Sequence, residues 1–181
     1  MREFKPPVQT TGQSNTEIQD MAEHRQDEGN VYLTLHRTIN APVEKVYTAW
    51  TDPELLRRWF SPGDTVVTRA VAEVTVGGTF LIEMRRADGK HRLTRGLYRE
   101  VVPNRRLVHT WCWDDSDVES LVTVEFEPGP EDTTRLTLTH SRFAEVEVRD
   151  EHEHGWAACL RKLQTLLTDR SVRCGPDIQA L

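Results

Sequence analysis

Residues 39–60 read INAPVEKVYTAWTDPELLRRWF, a stretch that predicts two short helices in succession. Pro42 stands where a first helical residue tolerates a missing backbone N–H, and apolar side chains recur at helical spacing as far as Trp50. A second start signal follows, because Thr51 lies three residues before Glu54 as in a capping box. Two short helices are therefore predicted before the main run of strands.

Strands are predicted on both sides of this helical pair. Before it, VYLTLHRTI at 31–39 alternates with the period of two that is typical of a half-buried strand. After it, six runs of strand character follow, separated by turn signals such as Asp88-Gly89. The short connections favour an antiparallel meander, with the first strand closing one edge. The six predicted strands are 66–76, 79–86, 92–102, 106–113, 118–127 and 133–141.

One long amphipathic helix completes the prediction. From about Glu145 to Asp169, large apolar residues recur at steps of three and four, although Gly155 weakens the helix by up to about 1 kcal/mol relative to alanine. The order β-α-α-β₆-α indicates an α+β fold, with a seven-stranded antiparallel sheet around a C-terminal helix. Since a helix is about 10 Å wide, it cannot fill the concave face of such a sheet, and the order predicts a central cavity.

Length and composition indicate one domain with tails. Residues 1–29 are polar and predict a disordered arm, residues 30–170 form the predicted domain, and residues 171–181 form a tail. The net charge of −6 argues against nucleic acid as a partner. No apolar run approaches the roughly 18 residues that cross a membrane. An odd number of cysteines without a CxxC pair, and no secretory pattern at the N-terminus, favour the cytoplasm.

Five blocks of the chain carry a resemblance to a known group of proteins. They are INAPVEKVYTAWTDPELLRRWF (39–60), EVTVGGTFLIEM (73–84), RGLYREVVPNRRLVHTW (95–111), TRLTLTHSRF (134–143) and HGWAACLRKLQTLL (154–167). Together they resemble the SRPBCC superfamily of START-like proteins, in particular the domain family named for the activator of heat-shock-protein-90 ATPase. The resemblance implies the helix-grip fold and a deep apolar cavity between sheet and helix. It implies no single activity, because the superfamily includes lipid and hormone binders, polyketide cyclases, co-chaperones and antibiotic self-resistance proteins.

Aromatic, histidine and sulfur-containing side chains on the predicted inner faces are the candidates for the cavity wall. His109, on the strand 106–113, and His140 would each offer a polar contact, unless they simply bond to the backbone. Core packing is the competing interpretation for Trp59 and Trp156. The candidate set is Trp59, Phe80, Met84, Tyr98, His109, Trp111, Trp113, Leu138, His140, Trp156 and Cys159.

The sequence offers no catalytic, metal or cofactor motif. The run DEHEH at 150–154 contains metal-ligating residue types, but His152 and His154 would project about 200° apart on a helix. A solvated acidic helix start is the favoured interpretation of this run. GxSxG, HExxH, GxGxxG and phosphate-loop patterns are absent from the sequence. We therefore expect no metal, no cofactor and no catalytic residue.

The leading functional hypothesis is sequestration of a hydrophobic small molecule, aromatic or polyene-like in character. The resemblance implies a narrower version, self-resistance to a natural product such as an enediyne antibiotic in an actinomycete. Only four of the 23 basic residues are lysines, a bias typical of a GC-rich genome. Two alternatives stay open. One is a polyketide cyclase or aromatase in which His109, His140 or Tyr98 moves a proton; the other is a chaperone-associated domain with a protein partner, which no motif indicates.

Overall fold

The structure is a computed structural model, and it describes residues 22–23, 26–27 and 30–169. The predicted C-terminal tail and most of the predicted N-terminal arm lie outside the described residues. Two pieces of that arm are described, β1 (Ala22–Glu23) and β2 (Gln26–Asp27), and both pair antiparallel with the strand that follows them. These four residues extend the sheet at the edge strand β3. The polar composition of residues 1–29 predicts a disordered arm instead.

Seven longer strands form the body of the sheet, and they confirm the predicted seven-stranded antiparallel arrangement. Each strand from β4 to β9 pairs with its neighbour in sequence, and β3 joins the sheet beside β9. The largest difference from prediction is at β4, which ends at Ala72 rather than at residue 76. The strands are β3 (Asn30–Ile39), β4 (Val66–Ala72), β5 (Thr79–Arg85), β6 (His91–Val102), β7 (Arg106–Trp113), β8 (Ser120–Pro128) and β9 (Thr134–Phe143). The helices are α1 (Val43–Thr51), α2 (Pro53–Trp59) and α3 (Val146–Thr168).

The start of α2 corrects the capping prediction. Asp52, not Thr51, is the cap, because its carboxylate accepts the backbone N–H groups of Glu54 and Leu55 at 2.7 and 3.2 Å. The Thr51 hydroxyl instead donates to the Tyr47 carbonyl at 2.9 Å, inside α1. A carboxylate at this position also opposes the positive end of the helix dipole, which a threonine hydroxyl does not.

The long helix α3 runs without interruption through Gly155 and packs against α2 and β3. Its inward side chains are Trp156, Cys159, Leu160 and Leu163. No helix within residues 30–169 has the length and hydrophobicity of a membrane-spanning segment. The sheet, the helical pair and α3 together form the α+β helix-grip fold that the sequence predicts.

Aromatic rings from the helical pair and the sheet pack against one another between α3 and the sheet. Trp50 of α1 lies 4.7 Å from Trp59 and 6.0 Å from Trp156 between ring centroids. Phe60, which ends α2, lies 5.7 Å from Phe80 of β5 in an edge-to-face contact. The rings supplied by the helical pair thus fill part of the volume that the order of elements alone assigned to a central cavity.

Candidate ligand pocket

An apolar pocket lies at one end of the interior, between α3 and the strands β5, β6 and β7. Its volume is about 170 Å³, close to the roughly 150 Å³ of an apolar cavity known to hold one benzene molecule. The apolar part of its wall is formed by Phe60, Pro62, Met84, Trp111, Trp113, Gly155, Trp156 and Cys159. The polar part is formed by Thr65, Arg86, Arg92, Glu151 and His152. In this conformation the pocket has room for one aromatic ring.

A second concavity of about 470 Å³ lies outside the interior, along the C-terminal half of α3. Its walls include the exposed side chains of Arg58, Arg161 and Thr165. Lys162 borders it and donates to the Gly63 carbonyl at 2.7 Å. Because exposed charged side chains do not remove a ligand from water, this groove is a poorer candidate than the smaller, more apolar pocket.

The predicted wall residues separate into two groups. Five of them line the pocket: Met84, Trp111, Trp113, Trp156 and Cys159. The other six are no more than 2% exposed and lie elsewhere in the interior: Trp59, Phe80, Tyr98, His109, Leu138 and His140. Trp59 illustrates the reason, since its indole N–H donates to the Ala49 carbonyl at 2.9 Å and holds the ring within the helical pair.

A tryptophan and a histidine are hydrogen bonded at the rim of the pocket. The Trp113 indole N–H donates to Nε2 of His152 at 3.1 Å. Since Nε2 accepts, the proton of the neutral imidazole is on Nδ1, which donates to the Val148 carbonyl at 2.8 Å. Burial lowers the pKa of His152; the charge of Arg92 also lowers it, while the bond to Val148 and the charge of Glu151 oppose the change. This pair fixes the Trp113 ring as one wall of the pocket.

A second pair of the same kind lies deeper, where the Trp156 indole N–H donates to Nδ1 of His140 at 3.1 Å. The neutral ring then carries its proton on Nε2, which donates to the Ser120 hydroxyl at 2.7 Å. That hydroxyl donates in turn to the Trp111 carbonyl at 3.2 Å. Burial lowers the pKa of His140 well below its usual value, and the neighbouring His152 and His109 lower it further. The chain of bonds fixes the Trp156 ring and ends on the main chain of Trp111, whose own indole N–H is buried without a hydrogen-bond partner among the described residues.

The thiol of Cys159 faces the pocket but is not an activated nucleophile. Burial raises the pKa of this thiol to about 12, although the positive charges of Lys162 and Arg161 lower it in part. A thiolate, not a thiol, is the reactive form of cysteine. At neutral pH Cys159 therefore contributes a small apolar surface rather than a reacting group.

His109 and Tyr98 are packed within the sheet's inner layer. His109 stacks on Phe80 with ring centroids 4.1 Å apart, and its Nδ1 lies 3.0 Å from the Thr110 carbonyl. Burial lowers the pKa of His109 to about 4. Burial also raises the pKa of the Tyr98 hydroxyl far above its usual value, and the nearby Tyr47 adds to this. Neither group lies where it would exchange a proton with a molecule in the pocket.

The mouth of the pocket carries two arginines and one glutamate. The guanidinium carbon of Arg92 lies 3.8 Å from the centroid of the Trp113 ring, a cation–π contact. Arg86 is exposed at the end of β5, where its backbone N–H and the Lys90 carbonyl close the β5–β6 hairpin. Glu151 lies on the α3 side of the mouth and is exposed. The charged groups thus surround the opening, while the interior is apolar.

Gly155 is the one position of α3 on the pocket where no side chain is present. It lies three residues after His152 and four before Cys159, on the same face of the helix. A Cβ atom added to Gly155 would meet nothing within 4 Å, and its backbone φ lies outside the left-handed region. Packing and backbone geometry therefore do not require glycine here, and its effect is to leave space at the pocket.

The acidic run at residues 150–154 does not form a metal site. Its two histidines each bond their Nδ1 to the carbonyl four residues earlier, His152 to Val148 and His154 to Asp150. Among the described residues, no group of three His, Cys, Asp or Glu side chains is arranged to hold a metal ion. The interpretation as a solvated helix start is nevertheless wrong for His152, whose ring is turned inward against Trp113.

Comparison with known proteins assigns the chain to a family. Residues 40–168 match the family model described as "Activator of Hsp90 ATPase homolog 1-like protein". The chain belongs to this family. No curated protein matches it.

Members of this family are among the similar solved structures. Protein CV1439 from Chromobacterium violaceum is 27% identical, with a TM-score of 0.71 over 76% of this chain and 97% of that one. The AHSA1 protein from Silicibacter pomeroyi is also 27% identical, with a TM-score of 0.70 over 80% of this chain and 100% of that one. CalU16 from Micromonospora echinospora, 22% identical, shares the fold with a TM-score of 0.58 over 86% of this chain and 88% of that one.

Sequence reasoning missed several pocket residues of this family member. Phe60 follows directly after α2, and nothing in its spacing predicts that its ring reaches Trp156, 5.2 Å away between ring centroids. His152 lies four residues before Trp156, on the apolar face of α3, and this spacing was the available signal. Arg92 lies two residues before the buried Thr94 on β6, so both side chains take the inward face of the sheet. An inward-facing arginine near the end of a strand has no sequence signature.

Proposed function

We propose that the protein binds and sequesters a hydrophobic small molecule, with one aromatic or polyene-like group of the molecule seated in the pocket. The observation that carries the proposal is Gly155, a glycine inside a long helix at a place where a side chain would meet nothing. Glycine costs a helix about 1 kcal/mol relative to alanine. Three tryptophan rings face this space, and flat surfaces of this kind favour flat or unsaturated ligands.

The pocket size restricts how a larger ligand would bind. A volume of about 170 Å³ takes one ring, so a polycyclic natural product would extend through the mouth or displace rings such as Phe60. The narrower proposal of self-resistance to an enediyne antibiotic rests on the family resemblance. Incubation of the protein with such a compound, followed by intact-mass measurement, tests it directly. A protein that protects by being cleaved in place of the drug's target should show specific cleavage of its backbone.

The two alternatives receive less support from the site. An enzyme of the cyclase kind would need His109, His140 or Tyr98 to reach the ligand, and all three are buried away from the pocket. A chaperone-associated role and a cytoplasmic location stay predictions. The two cysteines within the described residues, Cys112 and Cys159, are free thiols, as the cytoplasmic proposal requires.

The experiment that tests the proposal compares two substitutions at one position. Gly155→Leu would place four carbons at the pocket, whereas Gly155→Ala adds a single methyl group to the helix. Ligands would be screened by quenching of tryptophan fluorescence, with nitrobenzene, benzaldehyde and an aromatic polyketide as probes. We expect saturable quenching of the natural protein and of the alanine variant. The leucine variant should bind about tenfold more weakly or worse, because its side chain occupies the volume of the ring.

Two results would contradict the proposal. Absence of saturable quenching across the panel, together with native mass spectra free of small-molecule adducts, would remove small-molecule binding as the function. Equal affinity of the leucine variant and the natural protein would show that the probes bind somewhere other than this pocket. Circular dichroism of both variants serves as the control for folding.

A further inference from the structure

The charges at the mouth of the pocket are unbalanced. Arg86 and Arg92 line it, against the single carboxylate of Glu151. Neither arginine forms an ion pair with a carboxylate in the part of the chain that the structure describes. By contrast, Arg149 on the neighbouring turn of α3 is paired with Asp150 at 2.6 Å. Two guanidinium groups thus stand at the mouth of an apolar pocket with one carboxylate nearby and no ion pair to any described residue.

Arg92 is held in place before any ligand arrives. Its guanidinium lies over the Trp113 ring at 3.8 Å, and that ring is fixed by its bond to His152. His152 is fixed in turn by its bond to the Val148 carbonyl. An arginine stacked on a ring keeps its N–H groups directed outward in the plane of the guanidinium, where they can reach both oxygens of one carboxylate. Immobilisation before binding lowers the entropic cost of forming these bonds.

We propose that the pocket is specific for small aromatic carboxylates, with the ring between the tryptophans and the carboxylate against Arg92, supported by Arg86. This inference rests on the proposed function, because it assigns the chemical class of the ligand at the same site. The position of Arg92 supports this proposal. Its guanidinium contacts Trp113, and the ring of Trp113 also forms part of the pocket wall. A ring seated there therefore places its substituent at the charged mouth.

The test uses matched pairs of probes that differ in charge and little in shape: benzoate with benzamide, and phenylacetate with phenylacetamide. Dissociation constants would be measured by calorimetry at pH 7.5 and fixed ionic strength, where both acids are ionised. We expect each carboxylate to bind about tenfold or more tightly than its amide, the usual range for a hydrogen bond to a charged group. Raising the salt concentration should weaken the carboxylates and leave the amides unchanged.

Two substitutions on β6 provide the matched variants. Arg92→Met removes the guanidinium but keeps an unbranched side chain over Trp113, and it should abolish the preference for carboxylates. Arg95→Met changes the net charge equally, but at an exposed position on the opposite face of the strand, and it should keep the preference. The amides serve as the internal control for a folded pocket, because their affinity should be similar in all three proteins.

The possible outcomes separate the inference from the proposed function. Equal affinity of the natural protein for carboxylates and amides would overturn the inference while leaving the pocket as a binding site. A carboxylate preference that survives Arg92→Met would also overturn it, and so would a preference that disappears in Arg95→Met. If neither member of any pair bound the natural protein, the inference would be overturned, and the fluorescence panel with native mass spectrometry would decide the proposed function separately.

Discussion

The two tryptophan–histidine pairs use one kind of bond in two different surroundings. Both bonds join an indole N–H to an imidazole nitrogen at 3.1 Å, but His140 is wholly buried whereas His152 lies at the rim of the pocket. Behind His140 the bonds continue to Ser120 and the sheet; behind His152 they end on the helix backbone at Val148. Because the bond lengths are equal, burial rather than bond geometry should decide what each pair contributes: stability at the buried end, and a fixed wall of the pocket at the rim.

Acid should have the largest effect on stability, and it should act mainly through the buried end. Burial lowers the pKa of His109 to about 4 and that of His140 well below its usual value. Below about pH 6.5 these histidines bind protons in the unfolded chain but stay neutral in the folded protein. The free energy of unfolding therefore decreases as the pH falls. For His109 alone the loss reaches about 3 kcal/mol near pH 4. Urea unfolding measured from pH 7.5 to pH 4 checks this.

Single substitutions separate histidines from carboxylates in that profile. His140→Gln should make the decrease between pH 6.5 and 5 less steep without abolishing it, because His109 still contributes. His154→Gln, at an exposed position of α3, should leave it unchanged. His152→Gln should have an intermediate effect, because burial lowers the pKa of His152 but the ring lies at the rim. A profile of the natural protein that stays flat over this range would mean that the histidines are not held neutral.

Removal of each indole N–H donor should show how much each tryptophan–histidine pair contributes to stability. Trp156→Phe removes the donor to a buried histidine nitrogen and leaves a gap, so we expect a loss of about 3 kcal/mol in the free energy of unfolding. Trp113→Phe acts at the half-buried rim, where water can replace the donor, and should cost less than about 1 kcal/mol. Urea denaturation at pH 7.5 would measure both losses. Similar losses for the two variants would refute the assignment of stability to the buried pair.

The smallest effect we predict is a gain. Gly155→Ala should raise the free energy of unfolding by up to about 1 kcal/mol, because alanine is the better helix former and its Cβ would meet nothing within 4 Å. Thermal unfolding, with Trp113→Phe as a reference for a modest loss at the same rim, is sensitive enough to detect it. A decrease instead would indicate that a side chain at residue 155 disturbs His152 or the helix.

Most of the fold could be predicted because it depends on local patterns. The alternation in β3 and the three-and-four spacing in α3 are properties of the elements themselves, so they can be recognised in the sequence. The cap of α2 was misassigned because Thr51 and Asp52 are both good capping residues, and only the bond lengths favour Asp52. When two adjacent residues can both cap a helix, only the hydrogen bonds seen in the structure identify the cap.

The pocket could be predicted only in part, because it is what remains after the rings have packed. Trp113 and His152 are 39 residues apart in the chain, and their bond depends on how α3 lies on β7. Whether an inward residue lines the open end or fills the centre depends on the rings of α1 and α2, as His109 and Trp111 illustrate on one face of β7. Alternation predicts which face a residue takes, but not what lies against that face.

The pairing of β3 with β9 also has a consequence for the time course of folding. The hydroxyls of Thr34 and Thr139 lie 3.2 Å apart although 105 residues separate them in the chain. Strand β3 is made early but cannot find its partner until nearly the whole domain has been synthesised, and contacts of such long range are slow to form. A nascent chain must therefore keep one complete edge of this strand uncovered on the ribosome, the stage at which chaperone assistance matters most.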